Sequence, residues 1–191
     1  MARSQIDFDR EDSGMTADLP RFVVVERDAL IAEIYGAFAD VDREGGVSWS
    51  EAMAIDNYEP PEVRQAARDG DSEDGWRSLV DDPAFTYHEL SSEWSFLDSI
   101  GFRYYLPVFL IKSVRAGWIV SGSSHLIRRT SKHPGVSLLD ENIELLSMRQ
   151  QRCVRRFLEY LDVVGVYLSG AENTEYVRDA LESYWINVPE S

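Results

Sequence analysis

Residues 94–111 read WSFLDSIGFRYYLPVFLI and are the most apolar and aromatic stretch of the chain. Aromatic and branched aliphatic side chains supply most of the free energy of burial in a protein core. The aromatic residues of this stretch are Trp94, Phe96, Phe102, Tyr104, Tyr105 and Phe109. We therefore predict a central buried helical segment onto which several amphipathic helices pack.

Pro107 lies inside this stretch. Proline removes an amide donor, and its ring clashes with the preceding helical turn. We therefore expect two helical pieces, over residues 95–104 and 106–116, the second with proline in its first turn. Gly117 is expected to end the second piece.

Apolar side chains recur at helical spacing on both sides of the central stretch. This spacing predicts helices over residues 26–39, 48–56, 61–70, 140–164 and 175–186. Ser48 or Ser50 can cap the second of these helices, and Pro61 suits the first turn of the third. We expect another start at Asp82, before Pro83. Core anchors around that start are predicted to be Trp76, Leu79, Val80, Phe85, Leu90 and Trp94.

The helix predicted over residues 140–164 has two distinct faces. Its apolar face is expected to hold Gln150, Val154, Phe157, Leu158 and Leu161. Charged residues are expected to turn outward, namely Arg152, Arg155, Arg156 and Glu159. The last predicted helix places Tyr176, Val177, Ala180, Leu181, Tyr184 and Trp185 on one stripe.

Long alternating runs of apolar and polar residues, which indicate half-buried strands, are absent from the sequence. No period of about 20–50 residues repeats along the chain. The fold class is therefore predicted to be all-α, with a single compact domain of amphipathic helices over residues 19–191. Residues 1–18 are polar and acidic without periodicity, which predicts a flexible acidic tail.

The charge of the chain is uneven. Its net charge is −15, and residues 1–100 carry 24 Asp and Glu against 8 Lys and Arg. Residues 101–191 carry 10 acidic against 11 basic residues. Such an acidic half can attract a basic protein and repel nucleic acid. The simpler interpretation is that the charge serves solubility and contact between the two halves.

The N-terminus lacks the apolar run of a secretory signal, and Arg103, Lys112 and Arg115 interrupt the most apolar window. We therefore expect no membrane association. Cys153 is the single cysteine, which excludes an internal disulfide and favours a reducing, cytoplasmic location.

No catalytic, cofactor or metal motif stands out in the sequence. The histidines, His88, His125 and His133, are widely spaced and form no zinc pattern, and no glycine-rich phosphate loop is present. Cys153 falls on the apolar side of its helix, which predicts a buried, inert thiol. The acidic residues 40–46 lack the ligand spacing of a calcium loop. We therefore predict no catalytic residue, no cofactor and no metal.

The arginines Arg149, Arg152, Arg155 and Arg156 could meet phosphates. The net charge of the chain opposes this, so we expect no nucleic-acid binding.

Several segments carry a family resemblance: FLDSIGFRYYLP (96–107), SMRQQRCVRRFLEYL (147–161) and ALESYW (180–185), with Trp76 and IYGAF (34–38). Together these segments span most of residues 25–187. The chain resembles a bacterial family of uncharacterised proteins, the domain of unknown function DUF6714. The resemblance implies a shared fold and brings no established activity.

Arg103 is unusual because it lies within the most apolar stretch, next to Tyr104 and Tyr105. It could grip a carboxylate or phosphate at the mouth of a pocket formed with these tyrosines. The simpler interpretation is that Arg103 pairs with one of the many acidic residues or rests its stem on the core. Arg103, Tyr104 and Tyr105 are therefore the candidate binding residues.

The leading functional hypothesis is a non-enzymatic, acidic protein–protein interaction domain. One specific form is an immunity-type inhibitor that covers the basic active site of a nuclease. The alternative is a small-molecule binding protein or enzyme with a pocket near Arg103, Tyr104 and Tyr105. The sequence does not predict an oligomeric state.

Overall fold

The computed structural model describes residues 21–71, 74–83, 85, 93–117, 126, 142–168 and 175–189. Seven α-helices lie in these ranges: α1 Arg21–Ala37, α2 Trp49–Asp56, α3 Pro61–Gly70, α4 Trp76–Val80, α5 Ser99–Ala116, α6 Met148–Leu168 and α7 Glu175–Ser183. The same ranges contain two 3₁₀ turns, Glu93–Ser95 and Trp185–Asn187, and a helical turn at residues 142–144. No strand occurs in these ranges, and the all-α prediction is confirmed. The predicted tail, residues 1–18, lies outside them.

Helix α5 is the buried centre of the fold. Asp98 caps its start by accepting a hydrogen bond from the Gly101 N–H at 2.8 Å. Gly117 ends the helix in the left-handed conformation, with φ of 71°, as expected. Residues 104–111 are all buried, which confirms the central buried segment.

The expected division at Pro107 is wrong, because α5 continues through it as one helix. An interior proline costs a helix about 3 kcal/mol. Burying one large apolar side chain contributes about 1.5–3 kcal/mol, and most of α5 is buried. Burial along the helix therefore outweighs the local penalty.

Aromatic rings connect α5 to the elements around it. Trp94 lies edge-on to Phe102, Phe109 and Trp49, with ring centroids 5.7, 5.4 and 5.4 Å apart. Phe109 meets Phe157 of α6 at 6.0 Å. Edge-to-face packing of this kind favours defined positions for each ring. Trp94 thus packs against both α2 and α5, and Phe109 connects α5 to α6.

Helices α1 and α6 pack against each other beside α5. Helix α1 begins five residues earlier than predicted. The expected start of α6 at Asp140 is also wrong, because residues 145–147 separate a short helical turn from the main helix. Ser147 and Gln150 cap the main helix reciprocally, with bonds of 2.9 and 3.3 Å. The five residues predicted for its apolar face are all buried: Gln150, Val154, Phe157, Leu158 and Leu161.

Helices α2 and α3 pack against each other as a hairpin. Ser48, one of the two predicted caps, begins α2 through a capping box with Glu51. Pro61 is the first residue of α3, as predicted. Helix α3 has no buried residue. Its attachment to the protein therefore depends on polar contacts with α2.

The segment before α5 differs in part from the prediction. Trp76, Leu79, Val80 and Trp94 are buried as expected, and Phe85 is half-buried with its ring 5.3 Å from that of Trp49. Asp82 and Pro83 start no helix at the described positions, since Pro83 lies in a turn. Leu90 lies outside the described residues.

Helix α7 ends at Ser183, before the predicted limit of residue 186. The 3₁₀ turn that follows buries Trp185, whose indole N–H donates to the Leu126 carbonyl at 3.1 Å. Of the predicted stripe, Val177, Ala180 and Trp185 are buried.

Candidate functional site

Arginine side chains link the loop between α1 and α2, residues 38–48, to the elements around it. Arg68 donates to the Gly45 carbonyl at 3.0 Å, and Arg43 donates to the Asp71 carbonyl at 2.7 Å. Arg103 pairs with Glu44 at 3.3 Å. The loop is therefore held by guanidinium groups that already bind acceptors of this chain.

Asp98 fixes the same loop to the start of α5. Its carboxylate Oδ1 accepts from the Val47 N–H at 3.0 Å as well as from Gly101. The two backbones approach so closely that a Cβ on Gly101 would lie 2.3 Å from the Val47 carbonyl oxygen. Only glycine allows this approach, and it fixes the position of the loop over α5.

A pocket of about 240 Å³ opens beside this loop. Its walls include side chains of both charges and one aromatic ring: Asp42, Arg43, Glu44, Arg68 and Tyr104. Hydrogen bonding to Glu51 raises the pKa of Arg68, so this guanidinium is charged. The pocket lining thus carries two acidic and two basic side chains.

The three sequence-predicted binding residues lie in different environments, although the rings of Tyr104 and Tyr105 are 4.9 Å apart. Tyr104 lines the pocket, and Arg103 reaches its edge through Glu44. Tyr105 is fully buried, and its hydroxyl accepts a hydrogen bond from the Trp49 N–H at 2.9 Å. Of the three residues, only Tyr104 belongs to the lining of this pocket. Ligand binding by Arg103, Tyr104 and Tyr105 stays a prediction.

A second candidate site lies where α2 meets α3, at residues 53–63, here called the α2–α3 corner. Tyr58 is 90% exposed and has a φ of 56°, a conformation uncommon for a residue with a side chain. Met53 and Val63 are 43% and 41% exposed. The corner carries three acidic residues, Asp56, Glu59 and Glu62, and no Lys or Arg.

Sequence reasoning identified this corner only as a break between helices. The available signal was an aromatic residue beside two prolines in an acidic segment. Periodicity does not reveal whether such an aromatic residue packs inward or outward.

The arginine-rich segment of α6 joins elements of this chain. Arg156 contacts Glu33 and lies 3.2 Å from Glu26, both on α1. Arg155 pairs with Glu159 at 2.9 Å and also donates to the Val188 carbonyl. The expectation that Arg155 turns outward is wrong, since its side chain is only 16% exposed. These contacts pair Arg155 and Arg156 with carboxylates of the same chain.

The described residues show no constellation for nucleophilic or metal chemistry. Cys153 is fully buried, and burial raises the pKa of its thiol to about 12, which confirms the predicted buried thiol. No group of three or more potential metal ligands occurs among these residues. His88, His125 and His133 lie outside them. Among the described helices, none has the length and apolar character to cross a membrane.

Comparison with known proteins yields one relationship. No curated protein and no solved structure matches the chain. The family of unknown function DUF6714 matches residues 26–189, which include every helix from α2 to α7 and most of α1. The chain therefore belongs to the DUF6714 family.

Proposed function

We propose that this chain is a non-enzymatic protein-interaction domain that binds a basic partner protein through the α2–α3 corner. The exposure of Tyr58 carries the proposal: the ring is 90% exposed, at a backbone φ of 56°. This φ belongs to the Schellman motif that ends α2, in which the Tyr58 and Glu59 N–H groups donate to the Ile55 and Ala54 carbonyls at 3.0 and 2.9 Å. The motif fixes the backbone from which the Tyr58 side chain projects into solvent.

The chemistry around Tyr58 favours a basic partner. Tyrosine is enriched among the residues that dominate binding energies at protein interfaces. Met53 and Val63 add apolar area, and the three carboxylates of the corner can steer a positively charged surface toward it. With a net charge of −15, the whole chain adds to this long-range attraction.

The specific form of the proposal is an immunity-type inhibitor that covers the basic active site of a nuclease. Such a site is basic because it binds phosphates, so an acidic surface competes for it. We place the protein in the cytoplasm, where a reducing environment suits its single, buried thiol.

The experiment begins with immobilised wild-type protein and lysate of the native cell, washed at low and high salt. Retained basic proteins are identified, purified and titrated calorimetrically against Tyr58→Ala and against Glu59→Lys/Glu62→Lys. We expect both variants to weaken binding by roughly tenfold or more, and salt to weaken wild-type binding. Where the partner is a nuclease, its activity is measured with the same variants.

The control is Asp179→Lys/Glu182→Lys, an equal charge change at two exposed residues of α7. This control should bind like the wild type. Equal affinity of the corner variants and the wild type would overturn the proposal, as would the absence of any basic partner at low salt.

A second candidate function is the binding of a small carboxylate or phosphate at the pocket beside the α1–α2 loop. The supporting observation is the Arg103–Glu44 pair at 3.3 Å, in which Glu44 is 59% exposed and could give way to a ligand anion. Thermal-shift screening with carboxylates and phosphates tests it. A stabilising ligand whose effect is lost in Arg103→Ala and kept in Arg115→Ala would support this function, since Arg115 pairs with Asp81 outside the pocket lining. No ligand effect would exclude it.

A further inference from the structure

The arginine-rich segment of α6 is only partly engaged within the fold. Arg155 and Arg156 pair with carboxylates of this chain. Arg149 and Arg152 form no ion pair and no hydrogen bond with another described residue. They lie three residues apart in the first two turns of α6, so they share one face of the helix. The contacts that hold α6 in place therefore leave two cations unused.

Both of these guanidinium groups are open to an approaching molecule. Arg149 is exposed, and its Nη2 lies 2.9 Å from the position that a Cβ on Gly36 would take, over the last turn of α1. Arg152 is half-buried, and its Nε is buried without a partner. The terminal nitrogens of Arg152 are not buried in this way, so they reach solvent. Each arginine can thus pair with a carboxylate of another molecule.

Exposed apolar side chains stand beside these cations. Met148 lies one turn before Arg152 on the same face of α6 and is 48% exposed. Leu145, in the turn that precedes α6, is 40% exposed. Arginine and methionine are both enriched at protein interfaces. This surface is here called the α6 basic face and consists of Leu145, Met148, Arg149 and Arg152.

The α2–α3 corner carries the complementary chemistry. Its three carboxylates and its lack of Lys and Arg match the two arginines of the α6 basic face. The ring of Tyr58, 90% exposed, is a suitable surface for a guanidinium group to stack on. Met53 and Val63 offer apolar area to Met148, since all three are more than 40% exposed. The two surfaces thus match in both charge and apolar character.

The charge distribution favours contact between these unlike surfaces. The corner belongs to residues 1–100, with 24 acidic against 8 basic residues, and α6 belongs to residues 101–191, with 10 against 11. Contact of a corner with a basic face therefore joins an acidic half to a nearly neutral one, whereas contact of two corners would join two acidic halves. Repulsion between the net charges of two copies is screened beyond about 8 Å at physiological salt, so short-range contacts dominate.

We propose that the α6 basic face is a docking site for the α2–α3 corner of a second copy of this chain. Carboxylates of the corner then pair with Arg149 and Arg152, and the Tyr58 ring packs beside Met148. The proposed function uses the same corner, so a second copy and a basic partner protein compete for it. The docking itself needs no foreign partner.

Sedimentation velocity tests the docking, at protein concentrations from about 10 μM to 1 mM and about 0.15 M salt. We expect the average mass of the wild type to rise with concentration. Arg149→Glu/Arg152→Glu should weaken self-association by roughly tenfold or more, and so should Glu59→Lys/Glu62→Lys. An equimolar mixture of the two variants should associate again, because each reversed surface meets a reversed partner.

The two variants change the net charge of the chain in opposite directions. Glu59→Lys/Glu62→Lys makes the chain less negative, so general repulsion alone would predict stronger association, whereas docking predicts weaker association. Asp179→Lys/Glu182→Lys makes the same charge change at exposed residues of α7 and should associate at least as strongly as the wild type. Arg149→Gln/Arg152→Gln removes the cations without reversing them and replaces the Glu variant if that variant fails to fold.

Methionine methyl NMR signals locate the contact, since Met53 belongs to the corner and Met148 to the basic face. Both signals should shift as the concentration of the wild type rises. A wild type that stays monomeric would overturn the proposal, as would association that survives in either reversed variant or a mixture that stays monomeric. A shift at only one of the two methionines would also contradict it.

A different acidic occupant has its own signature. A monomeric wild type whose Met148 signal shifts on addition of poly-glutamate would overturn self-docking and assign the basic face to another acidic protein. Arg149→Glu/Arg152→Glu leaves the corner intact, so binding of a basic partner by this variant tests the proposed function separately.

Discussion

Arg68 donates two hydrogen bonds to the carboxylate of Glu51, 2.7 Å from Nε and 2.9 Å from Nη2. Glu51 is 11% exposed, and the same carboxylate accepts from the Ser48 N–H in the capping box of α2. A forked arginine–carboxylate pair of this kind has a defined geometry as well as charge. It joins α3, which buries no residue, to α2 and the loop beside it.

Loss of this pair should loosen α3. We expect Arg68→Met to lower the free energy of unfolding by about 1–3 kcal/mol, because it leaves a mostly buried carboxylate without its partner. Amide hydrogen exchange in α3 should accelerate more than exchange in α5. Gln65→Ala, which removes an exposed contact with Asp69 on the same helix, should change stability by less than about 0.5 kcal/mol. Similar losses in both variants would show that the pair has no special role.

The hydroxyl of Tyr105 should matter for stability. Tyr105→Phe removes the acceptor for the Trp49 N–H at the start of α2, and both residues are buried. We expect a loss of about 1–3 kcal/mol in urea unfolding. Tyr58→Phe removes the same atom from a ring that is 90% exposed and should leave stability unchanged. A neutral Tyr105→Phe would mean that water or another group replaces the hydroxyl.

Cys153 should make the protein sensitive to alkaline pH. Burial raises the pKa of its thiol from near 9.0 to about 12, so the folded state holds the proton more tightly than the unfolded state. The resulting stabilisation is complete below pH 9.0 and is lost as the pH rises toward about 12. Between these values the wild type should lose up to about 1.4 kcal/mol per pH unit more than Cys153→Ala.

Urea unfolding at pH 8, 9, 10 and 11 measures this difference in slope. Tyrosines and lysines titrate in both proteins, so their effect cancels in the comparison. Parallel stability curves for the wild type and Cys153→Ala would mean that the thiol ionises without cost in the folded state.

The sequence predicted those features of the fold that depend on local chemistry or on the burial of a dominant segment. The Ser48 cap, the Pro61 start, the Gly117 end and the buried face of α6 were all correct. The break predicted at Pro107 was wrong, because the free-energy cost of a proline in a helix is local. The burial that offsets this cost involves helices that are distant in the chain. The break at residues 145–147 was missed for a different reason: Ser147 and Gln150 form a capping box, a local signal that apolar spacing alone conceals.

The candidate sites were harder to predict. Residues 103–105 were selected because they are adjacent in sequence, but a helix points adjacent side chains in different directions. The exposure of Tyr58 depends on how α2 and α3 meet. This property does not follow from composition or periodicity.

The two helical glycines Gly36 and Gly101 should respond differently to replacement by alanine. Helix propensity alone predicts that both changes stabilise the protein, by roughly 0.5–1 kcal/mol. At Gly36 a Cβ would meet only the tip of the Arg149 side chain, at 2.9 Å, and that tip can move. At Gly101 it would lie 2.3 Å from the Val47 carbonyl oxygen, which belongs to the backbone of the α1–α2 loop.

Gly36→Ala should therefore raise the unfolding midpoint in urea or leave it unchanged. Gly101→Ala should lower the free energy of unfolding by about 1–3 kcal/mol, the usual cost of forcing atoms into a packed region. It should also disturb the Val47–Asp98 hydrogen bond, which amide exchange at Val47 would report. If Gly101→Ala were as stable as Gly36→Ala, the loop would have to move away from α5, and the pocket beside Tyr104 would change shape with it.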